Sequence, residues 1–202
     1  LARSEPAGPV YLVGPREVME EQVEPSVADP AQYPAVEPAA LTDDIAREIA
    51  AALAGARHPL IITSYLGRNP EAVPALVELA ELLAIPVLES VAFHVNFPGD
   101  HPLHAGYQFT TSEQNETLAA ADVILVLDSD VPWIHASNRP APGAAIYVVD
   151  IDPVKADRTM WHVPARRIAA ADTKVAVTQI ASFVRDHALA DPAAVEARRA
   201  EV

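Results

Sequence analysis

The sequence predicts a three-layer α/β/α domain around a parallel β-sheet, and two observations carry that prediction. Short, continuously apolar runs (Pro59–Thr63, Pro86–Glu89, Val123–Leu127 and Ile146–Ile151) read as strands covered on both faces. Between and around them lie segments whose apolar residues recur at helical spacing. Strand–helix alternation of this kind implies right-handed crossovers and a parallel sheet with helices on both sides.

Taken in order, Gly8–Val13 (GPVYLV) reads as a short strand running into Gly14-Pro15. From about Met19 to Ala40 the chain carries Pro25, Pro30, Pro34 and Pro38 without helical or strand period, which favours an extended linker. Thr42 is a good N-cap, Asp43 and Asp44 suit the first turn, and Ile45, Ile49 and Leu53 give one apolar face. Gly55 is placed to end that helix. A second helix is expected from about Glu71 to Leu83, with Val73, Leu76, Val77, Ala80 and Leu83 inward. A long loop is expected over Val91–Thr111, then a helix from about Ser112 to Ala121. A weak strand near Arg167–Ala169 leads to a helix capped by Asp172 with Val177, Ile180, Ala181 and Val184 on one face. An Ala/Glu/Arg-rich helix follows Pro192.

The length of 202 residues suits one domain, or a domain with an arm. Half the residues are hydrophobic, enough for a core, and a compact fold of this size buries roughly 70% of the surface its unfolded chain exposes. The net charge is −14, with 14 Lys and Arg against 28 Asp and Glu, which argues against nucleic acid and anionic membranes as partners. There are no cysteines, so disulfides, thiolate nucleophiles and Cys-ligated zinc are excluded. No signal peptide or membrane-length apolar run is visible, and a cytoplasmic location is expected. The opening Leu1-Ala2-Arg3 lacks Met, so the chain is expected to be a piece of a longer one.

Ligands of open parallel sheets sit beyond the carboxyl ends of the strands. Those ends carry Thr63-Ser64-Tyr65-Leu66-Gly67-Arg68, Glu89-Ser90, Asp128-Ser129-Asp130 and Asp150-Ile151-Asp152-Pro153. Gly67 stands alone where a dinucleotide fingerprint has three glycines, so it marks either a phosphate turn or an ordinary turn. Asp150 and Asp152 could bind a ribose diol; alternatively Asp152 caps a turn and Asp150 is exposed. Asp128 and Asp130 read as solvated loop acids in preference to a cation site. His94, His101 and His104 share one loop, but Pro98, Gly99 and Pro102 break any helix that would align them on a metal. Tyr65, Trp133, His135 and Trp161 either line a groove or plug gaps. Ser64 and Ser90 lie in no GxSxG elbow, and no nucleophile–base set can be assembled.

Several segments together resemble one family, the thiamine-diphosphate-dependent enzymes of the acetolactate synthase and benzoylformate decarboxylase type. GPVYLVGPREV resembles the GPVxLxxPxDV segment that ends their pyrimidine-binding domain. HPLIITSYLGR and ALVELAELLAIPVLES resemble the start of their central domain, and FPGDHPLHAGY their FPxxHPLxxG segment. AAADVILVLDSDVPW and IYVVDIDP are similar to their ADVVLxxG and IxIDxDP strands, in order.

The resemblance implies a Rossmann-like, nucleotide-binding-type fold and a division into a remnant of the pyrimidine-binding domain (1–18), a linker (19–40), the central domain (41–190) and the start of a connection to a diphosphate-binding domain (191–202). It implies thiamine diphosphate and Mg²⁺ held by the other two domains of the parent, in a homodimer or homotetramer. The catalytic glutamate and the GDG metal motif of the family have no counterpart here, so no catalytic residue is expected. The family's Gly-rich turn falls on Ser64–Gly67, its IDxDP carboxylates on Asp150 and Asp152, and its Gly-Asp before the last helix on Ala171-Asp172. Ser64, Gly67, Asp150, Asp152 and Asp172 are thus the candidate cofactor-binding residues. With one glycine kept in the turn, the resemblance implies a scaffold with a vestigial or adenine-type crevice rather than a full FAD site. Two other readings stay open: a free-standing module for FAD, ADP or coenzyme A, and an oligomerisation scaffold without ligand.

Overall fold

The computed structural model describes residues 2, 4–109, 113–155 and 163–201. Leu1, Arg3, Thr111, Ser112 and Trp161, all named above, lie outside them. The chain divides into two units, Leu1–Pro38 and Ala39–Val202.

The first unit holds a single helical turn, α1 (Arg16–Met19), and a short 3-10 turn at Pro30–Gln32. The segment Gly8–Val13, expected as a strand, is not one: it pairs with no described strand, and Tyr11 and Leu12 are almost fully exposed. Its residues have strand propensity, but a strand exists only where its backbone finds a partner.

The second unit is a six-stranded parallel sheet. Its strands are β1 (Pro59–Thr63), β2 (Val87–Ser90), β3 (His104–Gln108), β4 (Val123–Leu127), β5 (Ala145–Asp150) and β6 (Arg167–Ala170). They are ordered β3-β2-β1-β4-β5-β6. This is a doubly wound order: the chain winds outward from β1 to one edge, then returns beside β1 and winds to the other. Every residue of β1 and β4 is buried, which explains their unbroken apolar sequence at the centre of the sheet.

The strand β3 lies inside the stretch expected as loop. Its sequence HAGYQ has neither an apolar run nor an apolar–polar alternation. Gly106 adopts φ +92°, and the register against β2 shifts there, so the strand contains a bulge that a left-handed residue makes possible.

Three helices cover one face: α2 (Asp43–Gly55), α3 (Ala72–Leu83) and α5 (Thr173–Asp186). Their buried residues Ile49, Leu53, Leu76, Leu79, Ile180 and Val184 join Ile61, Val87, Leu125 and Val149 of the sheet in one core. Thr42 occupies the N-cap of α2, but its side chain makes no capping bond. Asp172 does cap α5, accepting the Val175 N–H at 2.9 Å. Gly55 is the last residue of α2, yet the chain leaves in an extended conformation at Ala56; α3 is the helix with a left-handed end, at Ala84 (φ +52°).

The opposite face is covered more thinly. There the short helix α4 (Glu116–Ala120), capped by the Asn115 side chain, and Trp133 pack on Leu60, Ile62, Leu88, Ile124 and Val126. A last helix, α6 (Pro192–Glu201), fills the stretch expected to begin an interdomain connection. Its buried Arg198 donates to the carbonyls of Leu83 and Ala54, each at 2.8 Å, and to that of Ala56. One guanidinium thereby satisfies orphan carbonyls at the ends of both α2 and α3. Burial lowers its pKa from the usual arginine value.

Candidate functional site

The topological switch point of this strand order lies between β1 and β4, and the crevice at their carboxyl ends is where ligands of such sheets bind. The sequence of each strand exit determines what lines it. After β1 the chain turns through a 3-10 segment, Leu66–Arg68, that brings Tyr65 and Arg68 over the sheet edge. After β4 it turns sharply at Asp128, with φ +44°. The glycine of the ADVVLxxG motif falls on this position, and an aspartate holds the left-handed conformation here.

Ser64 is buried, bonded through its hydroxyl to the Ser90 carbonyl and, at 2.6 Å, to the Ser129 hydroxyl. Its backbone N–H donates to the Asp128 carbonyl at 3.1 Å. Gly67 donates its N–H to the side-chain oxygen of Asn96 at 2.9 Å. A Cβ at Gly67 would stand 2.1 Å from the Val95 carbonyl oxygen, so the glycine is required by the loop after β2, which packs against it. Asn96 is fully buried and also donates to the Ser64 carbonyl at 3.0 Å and the Glu89 carboxylate at 2.8 Å. The N–H that a phosphate would take is therefore already bonded, and the space in front of it holds protein.

The carboxylate end of the crevice is also occupied. Asp150 is fully buried rather than exposed. It accepts the Tyr65 hydroxyl and the Lys155 ammonium, each at 2.8 Å, on one oxygen, and the Asp152 N–H at 2.8 Å on the other. Lys155 also reaches the Tyr65 hydroxyl at 2.6 Å and the Asp130 carboxylate at 3.1 Å. Burial, and then the negative charge of Asp150, push the Tyr65 phenol far above its usual pKa, so it stays a neutral donor. Asp152 is half-buried, and Asp172 serves as the α5 cap.

Asp128 corrects the expectation of a solvated acid: it is fully buried. One of its oxygens meets Thr173 Oγ1 at 2.5 Å and Arg68 Nη1 at 3.3 Å, while the other has no hydrogen-bond partner among the described residues. Burial raises its pKa to about 6, against the opposing pull of Arg68.

Two of the three histidines His94, His101 and His104 are bound to carboxylates: His104, at the start of β3, to Glu89 at 3.0 Å and His101 to Glu81 at 3.3 Å, each ring beside Phe97. Among the described residues, no group of three His, Cys, Asp or Glu could hold a metal ion. Trp133 is buried against the sheet, its indole N–H reaching His135 at 3.2 Å, and the two residues also line an open groove of about 380 Å³.

The structure thus brings Ser64, Tyr65, Asp128, Asp130 and Asp150 to one crevice, places Gly67 beside it, and leaves Asp172 as a cap. Sequence reasoning missed Lys155, which neutralises Asp150, and Asn96, which closes the Gly67 turn. The space beside Lys155, Asp130 and Ser129 measures only about 40 Å³, whereas sites for drug-sized ligands and cofactors hold roughly 300–1,000 Å³. A roomier cleft of about 400 Å³ lies at the amino edge, lined by His58, His104 and Arg198 among others. It is remote from the strand ends where this fold binds ligands. Neither the crevice groups nor the donor set fits a magnesium-bound diphosphate. What the arrangement does is tie together the exits of β1, β2, β4 and β5.

Comparison with known proteins agrees with this fold. The family model described as thiamine pyrophosphate enzyme, central domain, matches residues 46–180. Glyoxylate carboligase from Escherichia coli O157:H7 is 28% identical over 194 residues, 92% of this chain and 32% of that protein. Sulfoacetaldehyde acetyltransferase from Rhodobacter capsulatus is 31% identical over 156 residues, 73% of this chain and 26% of that protein. The crystal structure of benzoylformate decarboxylase from Polynucleobacter necessarius shares the fold with a TM-score of 0.69, at 24% identity, over 90% of this chain and 34% of that one. The chain thus spans about a third, or less, of the length of these relatives. None of the described helices is long and apolar enough to cross a membrane.

Proposed function

This chain belongs to the thiamine pyrophosphate enzyme central-domain family, and we propose that it is the central structural domain of a thiamine-diphosphate-dependent 2-oxo acid carboligase or decarboxylase, of the acetolactate synthase type, that catalyses nothing on its own. In this reading the thiamine diphosphate and its Mg²⁺ are bound by pyrimidine- and diphosphate-binding domains of the same parent chain, which assembles as a homodimer or homotetramer in the cytoplasm. The reading rests on the match over residues 46–180 together with a crevice that its own residues fill.

The same observation favours a scaffold over a free-standing nucleotide module. Ser64 and Asp150 are turned into internal hydrogen bonds, Gly67 is closed by Asn96, and Asp172 is spent on a helix cap. An FAD or ADP diphosphate would have to displace Asn96, and its ribose would have to displace Lys155.

Thermal denaturation with FAD, ADP and coenzyme A separates the readings. A ligand at a hundred times its dissociation constant stabilises by about 2.7 kcal/mol. The scaffold reading expects no change with any of the three; a saturable rise with one of them restores the nucleotide module.

A further inference from the structure

Asp128 sits in a place built for an anion. Its carboxylate is fully buried at the first residue of α5, a 14-residue helix, where it takes the Thr173 hydroxyl at 2.5 Å. Arg68 faces the same oxygen at 3.3 Å from the turn after β1. Helix N-termini favour negative charge, and guanidinium groups favour oxyanions. Yet the aspartate fits its own place poorly. Its backbone is left-handed (φ +44°), its second oxygen has no hydrogen-bond partner among the described residues, and the Asp150 carboxylate faces it from β5. A residue that strains its backbone and leaves an oxygen unpaired is not there to optimise packing.

We propose that the Asp128 carboxylate is a built-in anion: it occupies a receptor made by Arg68, Thr173 and the N-terminus of α5, and removing it leaves a site for a small free oxyanion. This rests on the scaffold reading and deepens it, because it names the group that keeps anionic ligands out of the switch point. It does not depend on what the parent enzyme does.

The test is Asp128→Gly. Glycine accepts the left-handed backbone without strain, and acetate is the side chain it excises. The variant and the parent sequence are titrated with acetate and, separately, with inorganic phosphate at constant ionic strength, following the unfolding midpoint. The expected result is a saturable rise with acetate in Asp128→Gly, roughly 5–10 °C at a hundredfold excess over the dissociation constant. The parent sequence is expected to show no rise, and Asp128→Gly with Arg68→Met to lose it. A further rise with phosphate would extend the receptor to tetrahedral oxyanions; acetate alone would confine it to carboxylates, and either outcome sustains the proposal. If Asp128→Gly does not fold, Asp128→Ala takes its place, since this chain carries alanine at φ +52° and +49° elsewhere (Ala84 and Ala188). A folded cavity variant that neither anion stabilises, or an equal rise in the parent sequence, overturns the proposal.

Discussion

The backbone N–H of Gly67 donates to the side-chain oxygen of Asn96 at 2.9 Å, joining the turn after the first strand to the loop after the second across 29 residues. In a sheet of this topology that N–H stands where a ligand phosphate would be received. Here the loop itself is the ligand. Asn96 and Lys155 together account for why a fold associated with nucleotides presents a crevice filled by its own side chains.

That contact makes Gly67 intolerant of any side chain. Gly67→Ala places a methyl group 2.1 Å from the Val95 carbonyl oxygen, backbone against which it cannot rotate away. It is expected to cost about 1–3 kcal/mol, and Asn96→Ala a similar amount through the unpaired Gly67 N–H. Urea denaturation measures both. Stability unchanged in Gly67→Ala would mean that the loop does not pack on this turn.

Lys155→Met strands the buried Asp150 carboxylate, which then keeps, among the described residues, the Tyr65 hydroxyl and the Asp152 N–H. Breaking a buried pair from one side costs about 3–5 kcal/mol, whereas replacing both partners costs far less. Lys155→Met with Asp150→Asn should therefore recover most of the loss. Additive losses in the double-mutant cycle would show that the two groups do not interact.

Asp128 gives the chain a pH dependence of unusual sign for an aspartate. Its folded pKa, about 6, lies above the ordinary value of 3.8, so the folded state holds the proton more tightly than the unfolded one. The stability this confers is complete below about pH 4, is lost as pH rises towards 6, and is absent above that, a change of roughly 3 kcal/mol. Asp128→Asn cannot titrate. The stability difference between the two proteins should thus move in favour of the asparagine variant between about pH 4 and pH 6 and then level off. A difference that stays constant over that range would place the Asp128 carboxylate in solvent.

Arg198 ties α6 to the ends of α2 and α3. Arg198→Ala leaves three carbonyls without that partner and should cost about 2–4 kcal/mol. Amide exchange should accelerate throughout 192–201 if the guanidinium is the anchor; protection that persists in the variant would locate the anchor elsewhere, for example in the buried Val195.

Much of this architecture was legible because the central strands are almost wholly apolar runs. PLIIT and VILVL admit no exposed face, and the apolar faces of α2 and α5 declare themselves at four-residue spacing. The strand β3 was hidden because HAGYQ needs a glycine bulge to pair at all. GPVYLV misled in the opposite way, since propensity without a partner makes no strand. At the crevice, the strand exits pointed to the right edge of the sheet and to Ser64, Asp128 and Asp150. What they bond to was invisible, because Asn96 and Lys155 arrive from loops whose paths are set by tertiary packing. Lys155 did leave one signal: it is one of only two lysines in the chain and follows two aspartates closely.

The most direct test of the central claim is an assay of this chain by itself with pyruvate and benzoylformate, supplied with thiamine diphosphate and Mg²⁺. The account predicts no release of carbon dioxide above the protein-free rate, with the sheet intact by circular dichroism. Turnover by the purified chain alone would contradict it.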